Sequence, residues 1–190
     1  MIKPQPSCAD IHEPNLMPVI HARETILNAI TPLDTIQLIS IENAKGRCLA
    51  EDVISPLNVP AHTNSAVDGY ALHSSNLAKE NTETTLHIQA TVLAGEIYSE
   101  ACKAQHCIRI MTGAAMPTDL DTVIMQEHCQ RDGNSITIDS RHQAGQNVRQ
   151  AGEDIQIGQT ILAAGKWLTP ADIGLLASLG MNEVKVKRKL

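Results

Sequence analysis

Aromatic side chains are almost absent from this sequence of 190 residues, which has no Phe, one Trp and two Tyr. The core must therefore be built from aliphatic side chains. The scarcity also argues against a platform for single-stranded nucleic acid, because such surfaces stack bases on aromatic faces. Basic residues form no stripe apart from a short run at 185–189, and the formal net charge is −6. The sequence therefore predicts no nucleic-acid partner.

Long hydrophobic runs are missing as well. No stretch approaches the ~20 apolar residues that a membrane-spanning helix requires. Residues 1–15 contain three prolines and lack the apolar segment of a signal peptide. We therefore expect no membrane association and a cytoplasmic location. The five cysteines are then expected to be reduced thiols, since a closed disulfide framework needs an even number and an oxidising compartment.

Helical patterns lie at the two ends of the chain. Residues 1–16 are predicted to be a mobile leader, and apolar residues at helical spacing predict a helix over 18–30 that ends before Pro32. Near the other end, Thr169-Pro170-Ala171-Asp172 is typical of a capped helix start. That helix has little polar face, so we expect it to be buried.

Strand patterns fill the centre. Leu86, Ile88, Ala90 and Val92 alternate with polar residues, as in a half-buried strand. Asp132-Gly133 predicts a hairpin turn, because Gly supplies the positive φ that tight turns require. Further strands are predicted over 36–41 and 47–54 around a turn at Gly46, and over 69–72, 107–111, 122–128, 160–162 and 183–187.

This order of elements predicts an α+β fold. A discontinuous α+β domain is expected to combine residues 17–63 with residues 147–190, and a β-rich domain, residues 64–146, is expected to be inserted in it. The helix over 18–30 and the helix after Thr169 carry more apolar surface than so small a domain can cover. We therefore expect a homodimer formed through the discontinuous domain.

Three loops collect polar groups that a pure scaffold would not need. They are 64–70, with Asp68 before Gly69; 109–114, where a strand ends in Thr-Gly; and 147–154, which contains Arg149, Glu153 and Asp154. Such groups can bind an anion or a cation. Each loop also has a purely structural interpretation: an Asx turn, a strand end and a surface loop with compensating charges.

A zinc site is a weaker hypothesis. Cysteine and histidine side chains occur at Cys102, His106, Cys107, His128 and Cys129. Their spacing matches no standard zinc arrangement, and structural thiols with surface histidines explain them more simply. No phosphate-binding glycine loop, dinucleotide fingerprint or serine nucleophile elbow is present.

Four segments, in order, resemble the MoeA and gephyrin E-domain family. They are Ser55–Pro60 with Asn64–Ala71, which resembles S-P-x-x-x-P…N-S-A-M-D-G-Y-A; Arg109–Pro117 with Val123–Glu127, which resembles R-I-M-T-G-A-x-x-P…A-V-V-M-Q-E; Gly145–Arg149 with Gly152–Asp154, which resembles G-x-N-I-R…G-E-D; and the helix from Leu168 to Gly180. Any one segment is weak evidence, but four in order are strong. The resemblance covers about residues 18 to 188.

The resemblance implies transfer of molybdate to the dithiolene of adenylylated molybdopterin, with loss of AMP and a need for Mg²⁺. It implies a dimeric transferase, with a molybdopterin-adenylylating protein and molybdoenzymes as further partners. Catalytic roles are expected for Asp68, Thr112, Asp154 and Glu153, with Asp68 also the candidate Mg²⁺ ligand. Substrate binding is expected from Asn64, Ser65, Arg109, Asn147 and Arg149.

Three departures limit this expectation. His62-Thr63 stands where the family commonly has Phe-Asp, and Val67 replaces a Met. The family's third domain, which binds the pterin, would begin where this chain stops. We therefore expect this chain alone not to turn over. A dimerising or partner-docking scaffold without catalysis of its own remains the alternative function.

Overall fold

A computed structural model describes residues 17–32 and 34–189; the mobile leader predicted for residues 1–16 lies outside them. Its helices are α1 (Val19–Ala29) and α2 (Pro170–Ser178). Its strands are β1 (Ile36–Ser40), β2 (Val53–Ile54), β3 (Asn64–Ser65), β4 (Gly69–Leu72), β5 (Glu83–Val92), β6 (His106–Ile110), β7 (Thr122–Met125), β8 (Gln130–Asp132), β9 (Ser135–Asp139), β10 (Val148–Arg149), β11 (Thr160–Leu162) and β12 (Glu183–Lys187).

The centre of the chain forms a six-stranded sheet in the order β7-β4-β6-β5-β9-β8. Its neighbouring strands are antiparallel except β5 and β6, which run parallel. In β5 the alternation works as predicted, with Leu86, Ile88 and Val92 buried. Mainly aliphatic side chains from this sheet and its flanking loops fill two core clusters, and Tyr70 is the one aromatic residue among their buried members.

The predicted hairpin is confirmed at β8 and β9. Asp132 lies opposite Ser135, so Gly133 and Asn134 form a two-residue turn, and Gly133 has φ +53°. The prediction of a strand over 122–128 was too long. β7 ends at Met125, because Gln126–His128 form a turn of 3-10 helix before β8 begins.

A second core brings the two ends of the chain together. β1 pairs with β12 and β2 with β11, all antiparallel. The core contains Ala44, Leu49, Val53, Leu162, Leu168, Leu176, Val184 and Val186. The prediction of a continuous strand over 47–54 was wrong. Cys48 and Leu49 bridge two different segments, at Trp167 and Val186. Ladder pairing resumes only in β2, with a register shift on β11 between Thr160 and Leu162.

Helix α2 begins as predicted. The Thr169 hydroxyl and the Asp172 carboxylate form a reciprocal capping box, and Pro170 is the first helical residue. The expectation that α2 would be buried was wrong in part. Leu176 packs into the core, but the small residues Ala171, Gly174, Ala177 and Ser178 leave one side of the helix open to solvent.

Helix α1 contributes no buried residue. Val19 is 84% exposed and Ile20 is 69% exposed, and Ile26, Leu27 and Ile30 are also exposed. Its apolar face therefore has no cover within the described part of a single chain. Between residues 17 and 189, leaving out residue 33, no helix is both long and apolar enough to cross a membrane. The domain boundaries placed at 63/64 and 146/147 stay a prediction.

Candidate active site

The first polar loop fixes Asp68 by its backbone. The Asp68 carbonyl accepts a hydrogen bond from the Gln126 amide at 3.1 Å. The next residue, Gly69, packs so closely on β7 that an added Cβ would lie 2.0 Å from the carbonyl oxygen of Ile124. Only glycine can lie this close to β7, so the backbone at the start of β4 is held in place. The Asp68 side chain stays exposed.

Thr112, just past the end of β6, holds the Asp68 carboxylate. Asp68 Oδ1 accepts hydrogen bonds from the Thr112 amide at 2.8 Å and from Thr112 Oγ1 at 2.7 Å. The backbone bond first, and then the hydroxyl bond, lower the pKa of Asp68, and the charge of Arg109 lowers it further. Asp68 is therefore an ionised, exposed carboxylate at neutral pH, and its Oδ2 has no hydrogen-bond partner among the described residues.

The third loop forms its own ion cluster. Arg149 Nη2 lies 2.6 Å from Asp154 Oδ1, and Arg149 Nε lies 3.5 Å from Glu153 Oε1. Both carboxylates raise the pKa of Arg149, Asp154 through the shorter contact most of all. Glu153 Oε2 also accepts the Gln150 amide at 3.0 Å. The guanidinium is thus occupied by its own loop, and the cluster is stabilised without any ligand.

The short strands β3 and β10 join the two clusters. Asn64 lies opposite Arg149, and Ser65 lies opposite Val148. On its other side, the Ser65 carbonyl accepts the Gly113 amide at 2.9 Å, next to Thr112. One pair of residues in β3 therefore connects the Asp68–Thr112 pair with the Arg149 cluster.

Two predicted substrate-binding side chains are used inside the protein. Ser65 is 1% exposed, and its hydroxyl donates to the Val67 carbonyl at 2.6 Å. Asn147 has φ +57°, and its amide donates to the Val123 carbonyl at 2.9 Å. Both residues hold the loops in place in this geometry, whereas Arg109 and Asn64 are half-buried beside the site.

Thr63 is a contact that the sequence did not predict. Its hydroxyl accepts the Ala151 amide at 3.3 Å and lies 3.4 Å from Gln150 Oε1. Thr63 occupies the position at which the resemblance predicted an acidic residue. The replacement of an acidic residue by Thr63 was therefore the feature of the sequence that could have drawn attention to this position, which contacts the third loop.

The fit of a magnesium ion is limited by the number of free carboxylates. In the part of the chain that the structure describes, no three His, Cys, Asp or Glu side chains gather as a cation site. Mg²⁺ is commonly held by one or two carboxylates together with substrate phosphates. Asp68 Oδ2 fits a Mg²⁺ shared with a phosphate-bearing ligand, and the described residues do not form a protein-built cage.

The cysteines lie apart from this chemistry. Burial is the main cause that raises the pKa of Cys107 to about 12 and that of Cys129 to about 12. Both thiols are therefore protonated at neutral pH, whereas zinc binds the thiolate. The predicted structural role of these side chains is the simpler interpretation of their surroundings.

Solved structures with this arrangement define the class of fold. The crystal structure of the molybdopterin biosynthesis MoeA protein from Pyrococcus horikoshii OT3 matches with a TM-score of 0.85 and 32% sequence identity, and the match covers 92% of this chain and 46% of that chain. The fold is therefore α+β of the MoeA N-terminal type.

Comparison of sequences gives the same result. A family model described as the MoeA N-terminal region (domain I and II) matches residues 17–180. The molybdopterin molybdenumtransferase of Haemophilus influenzae is 39% identical over 170 residues, which are 89% of this chain and 41% of that protein. The enzyme of the same name from Bacillus subtilis is 33% identical over 157 residues, or 80% of this chain and 36% of that protein. This chain belongs to the MoeA family, and it spans about two fifths of the length of these relatives.

Proposed function

We propose that this chain is the N-terminal part of a molybdopterin molybdenumtransferase, which inserts molybdate into adenylylated molybdopterin and releases AMP. The family membership and the names of the relatives support the reaction class. The observation that carries the proposal is the Asp68–Thr112 pair, in which an exposed carboxylate is fixed by two hydrogen bonds. We place the protein in the cytoplasm, as a homodimer that receives substrate from a molybdopterin-adenylylating protein and supplies molybdoenzymes.

The chemistry explains why such a carboxylate is useful. Molybdate and an adenylyl phosphate are both anions, so their approach must overcome charge repulsion. A bound Mg²⁺ would supply positive charge that stabilises the negative charge developing on the oxygens. Asp68, ionised and rigidly held, is the group of this chain that would hold the ion through Oδ2. A preorganised group of this kind needs no reorientation during the reaction.

Thr112 has two functions in this proposal. Its amide and hydroxyl both donate to Asp68 Oδ1, which keeps the carboxylate ionised and directed. Its position after β6 also places it beside Gly113, whose amide donates to the Ser65 carbonyl and so ties the Thr112 loop to β3. Thr112 is therefore a positioning residue for Asp68 first.

The Arg149 cluster has a different role. Because Asp154 and Glu153 already neutralise the Arg149 guanidinium, an anionic substrate would have to compete with them. The cluster lies beside β3, which also contacts the Thr112 loop. We propose that Asp154 and Glu153 keep Arg149 in position, and that a bound anion takes over part of its hydrogen bonds.

The test uses a protein in which this chain is joined to the part of its relatives that it does not span. Asp68→Asn keeps the size of the side chain and removes its charge, so we expect molybdenum insertion and AMP release to fall on the order of tenfold or more, as for the loss of a charge-stabilising group. Asp132→Asn, on the exposed strand β8, is the matched control and should leave the rate unchanged. A scaffold without catalysis of its own predicts no effect of Asp68→Asn, and that result would reject the assignment.

The contribution to activity of the part of the relatives that this chain does not span can be tested separately. We propose that pterin binding depends on the part of the relatives that this chain does not span, so the 190-residue chain should insert no molybdenum. Joining that part covalently should restore the activity. Full activity of the 190-residue chain alone would show that its own loops suffice.

A further inference from the structure

Two histidines lie side by side on the six-stranded sheet, away from the candidate active site. His87 on β5 is the register partner of His106 on the parallel strand β6. Their chain neighbours Ile88 and Cys107 are buried, so both histidines project from the opposite face of the sheet, because successive side chains of a strand alternate. On that face His87 is exposed and His106 is half-buried, beside the core that contains Ile108 and Ile110. Thr112 is six residues beyond His106, which is about 20 Å along the strand direction.

The two rings are close enough to share one ligand. Their centroids lie 5.5 Å apart, and the ring planes are inclined at 52°. Two imidazoles that bind one tetrahedral ion through nitrogen at about 2.0–2.1 Å place their centroids about 5 Å apart. The observed centroid separation of 5.5 Å is close to this value.

Hydrogen bonds engage Nδ1 of both rings. His106 Nδ1 lies 2.8 Å from the Ala104 carbonyl, an acceptor only, so Nδ1 carries the proton and Nε2 carries the lone pair. His87 Nδ1 lies 2.9 Å from the Ser135 hydroxyl on β9. No hydrogen bond from the described residues engages Nε2 of either ring. Metal-binding histidines commonly donate their second ring N–H to a backbone carbonyl, a carboxylate or water. His106 has this arrangement, and His87 has it when its Nδ1–H donates to Ser135 Oγ.

We propose that His87 and His106 form a surface site for a divalent transition ion that prefers imidazole ligands, such as Zn²⁺, Ni²⁺ or Cu²⁺. The site is open, because the described residues provide no third His, Cys, Asp or Glu ligand, and water completes the coordination. Cys107 cannot join it, since its thiol is buried on the face of β6 opposite to His106. Ser135 acts as a positioning residue that orients the His87 ring.

The site is independent of the proposed transferase activity. His106 is the first residue of β6 and His87 lies beside it on β5, whereas Thr112 follows the end of β6. Mg²⁺, which prefers oxygen ligands, would not occupy two imidazoles. A failure of this proposal therefore leaves the proposed function untouched, and the reverse also holds.

The experiment titrates the 190-residue chain, without an affinity tag, with ZnCl₂ and with CuCl₂, and MgCl₂ serves as the hard-ion control. We expect one saturable Zn²⁺ site, a Tm raised by about 2–4 °C when zinc is in excess, and a Cu²⁺ electron paramagnetic resonance spectrum with nitrogen ligands. Mg²⁺ should give neither effect. The absence of saturable zinc binding would overturn the proposal.

Single substitutions assign the ligands. His87→Gln and His106→Gln should each weaken zinc binding on the order of tenfold or more, and Ser135→Ala should weaken it less, as for an outer partner of a ligand. His21→Gln, in the exposed helix α1, is the matched control and should bind as the unaltered chain does. Tm values without metal check that each variant is folded. Unchanged affinity in both His87→Gln and His106→Gln would place the metal elsewhere and overturn the assignment.

Discussion

At the scale of single residues, the charge of Asp68 is controlled by Thr112. The backbone amide is the larger cause of the lowered pKa, and the hydroxyl is the second cause. Thr112→Val removes only the hydroxyl, so we expect the pKa of Asp68 to rise part of the way to its ordinary value of 3.8. Carboxyl carbon shifts followed by NMR through an acid titration would measure this. Thr118→Val, at another exposed threonine, should leave the pKa of Asp68 where it is.

The same shift has a consequence for stability in acid. The folded-state pKa of Asp68 lies below its unfolded value, so its stabilising effect is complete above pH 3.8 and is lost as the pH falls through the folded pKa. In Thr112→Val this acid-dependent part should shrink. Equal slopes of unfolding free energy against pH below 3.8 in both proteins would contradict the hydrogen-bond explanation.

Gly69 is the other residue on which the site depends. An alanine there would place its Cβ against the Ile124 carbonyl, and relieving such overpacking costs about 1–3 kcal/mol or more. Gly113→Ala is a useful comparison: its φ of +80° is strained for alanine, at about 1–2 kcal/mol, but no atom lies within 4 Å of the added carbon. Urea unfolding should show Gly69→Ala as the more destabilised variant, and the reverse order would refute the close approach.

At the scale of elements, local patterns predicted what depends on near neighbours in sequence. The β8–β9 hairpin needs only its own turn, and the α2 start needs only the four residues from Thr169 to Asp172. The failures have a common physical cause. Cys48 and Leu49 take partners more than a hundred residues away, and no local feature specifies a distant partner.

The candidate site also has a part that the sequence predicted and a part that it could not predict. Its loops were predicted from composition and from the family resemblance, which named Asp68, Thr112 and the Arg149 loop. The hydrogen bond from Thr112 to Asp68 spans 44 positions and exists because β4 and β6 are neighbours in the sheet. Their adjacency, like the parallel pairing of β5 and β6, follows from the topology of the whole sheet and could not be deduced from spacing.

Helix α2 offers a pair of opposite predictions at this scale. Gly174 lies inside the helix with open space around it, so Gly174→Ala should stabilise the protein by about 0.5–1 kcal/mol. Thr169→Ala removes the capping hydroxyl, which accepts from the Asp172 amide, and should cost about 1 kcal/mol. Thermal and urea unfolding would measure both changes. A destabilising Gly174→Ala would mean that another chain packs on that side of α2.

At the scale of the whole molecule, the apolar face of α1 has no packing partner within the described residues of one chain. Met17, Val19, Ile20, Ile26, Leu27 and Ile30 are all at least half exposed. A soluble monomer rarely exposes a contiguous face of this kind, which is why a dimer is predicted. Ultracentrifugation should find dimers of the unaltered chain and monomers of the double variant Ile20→Glu with Ile26→Glu.

A matched control keeps this prediction open to refutation. Arg23→Glu changes the charge of the same exposed helix without touching its apolar residues, and it should remain dimeric. The double variant should keep the folded core, because no α1 side chain contributes to that core. Monomers of the unaltered chain at high micromolar concentration would count against association through α1.

Because α1 is short, we expect its helical structure to depend on the protein concentration. The helix has 11 residues, and helices shorter than about 12–15 residues are marginal in water without tertiary support. If a second copy supplies that support, diluting the protein should unwind α1 while the six-stranded sheet and the β1–β12 and β2–β11 pairs stay intact. Far-ultraviolet circular dichroism would then lose part of its helical signal on dilution, at a temperature far below the melting of the core. Coupled in this way, assembly and folding of the segment would become one equilibrium, with a midpoint that moves with the amount of protein in the cell.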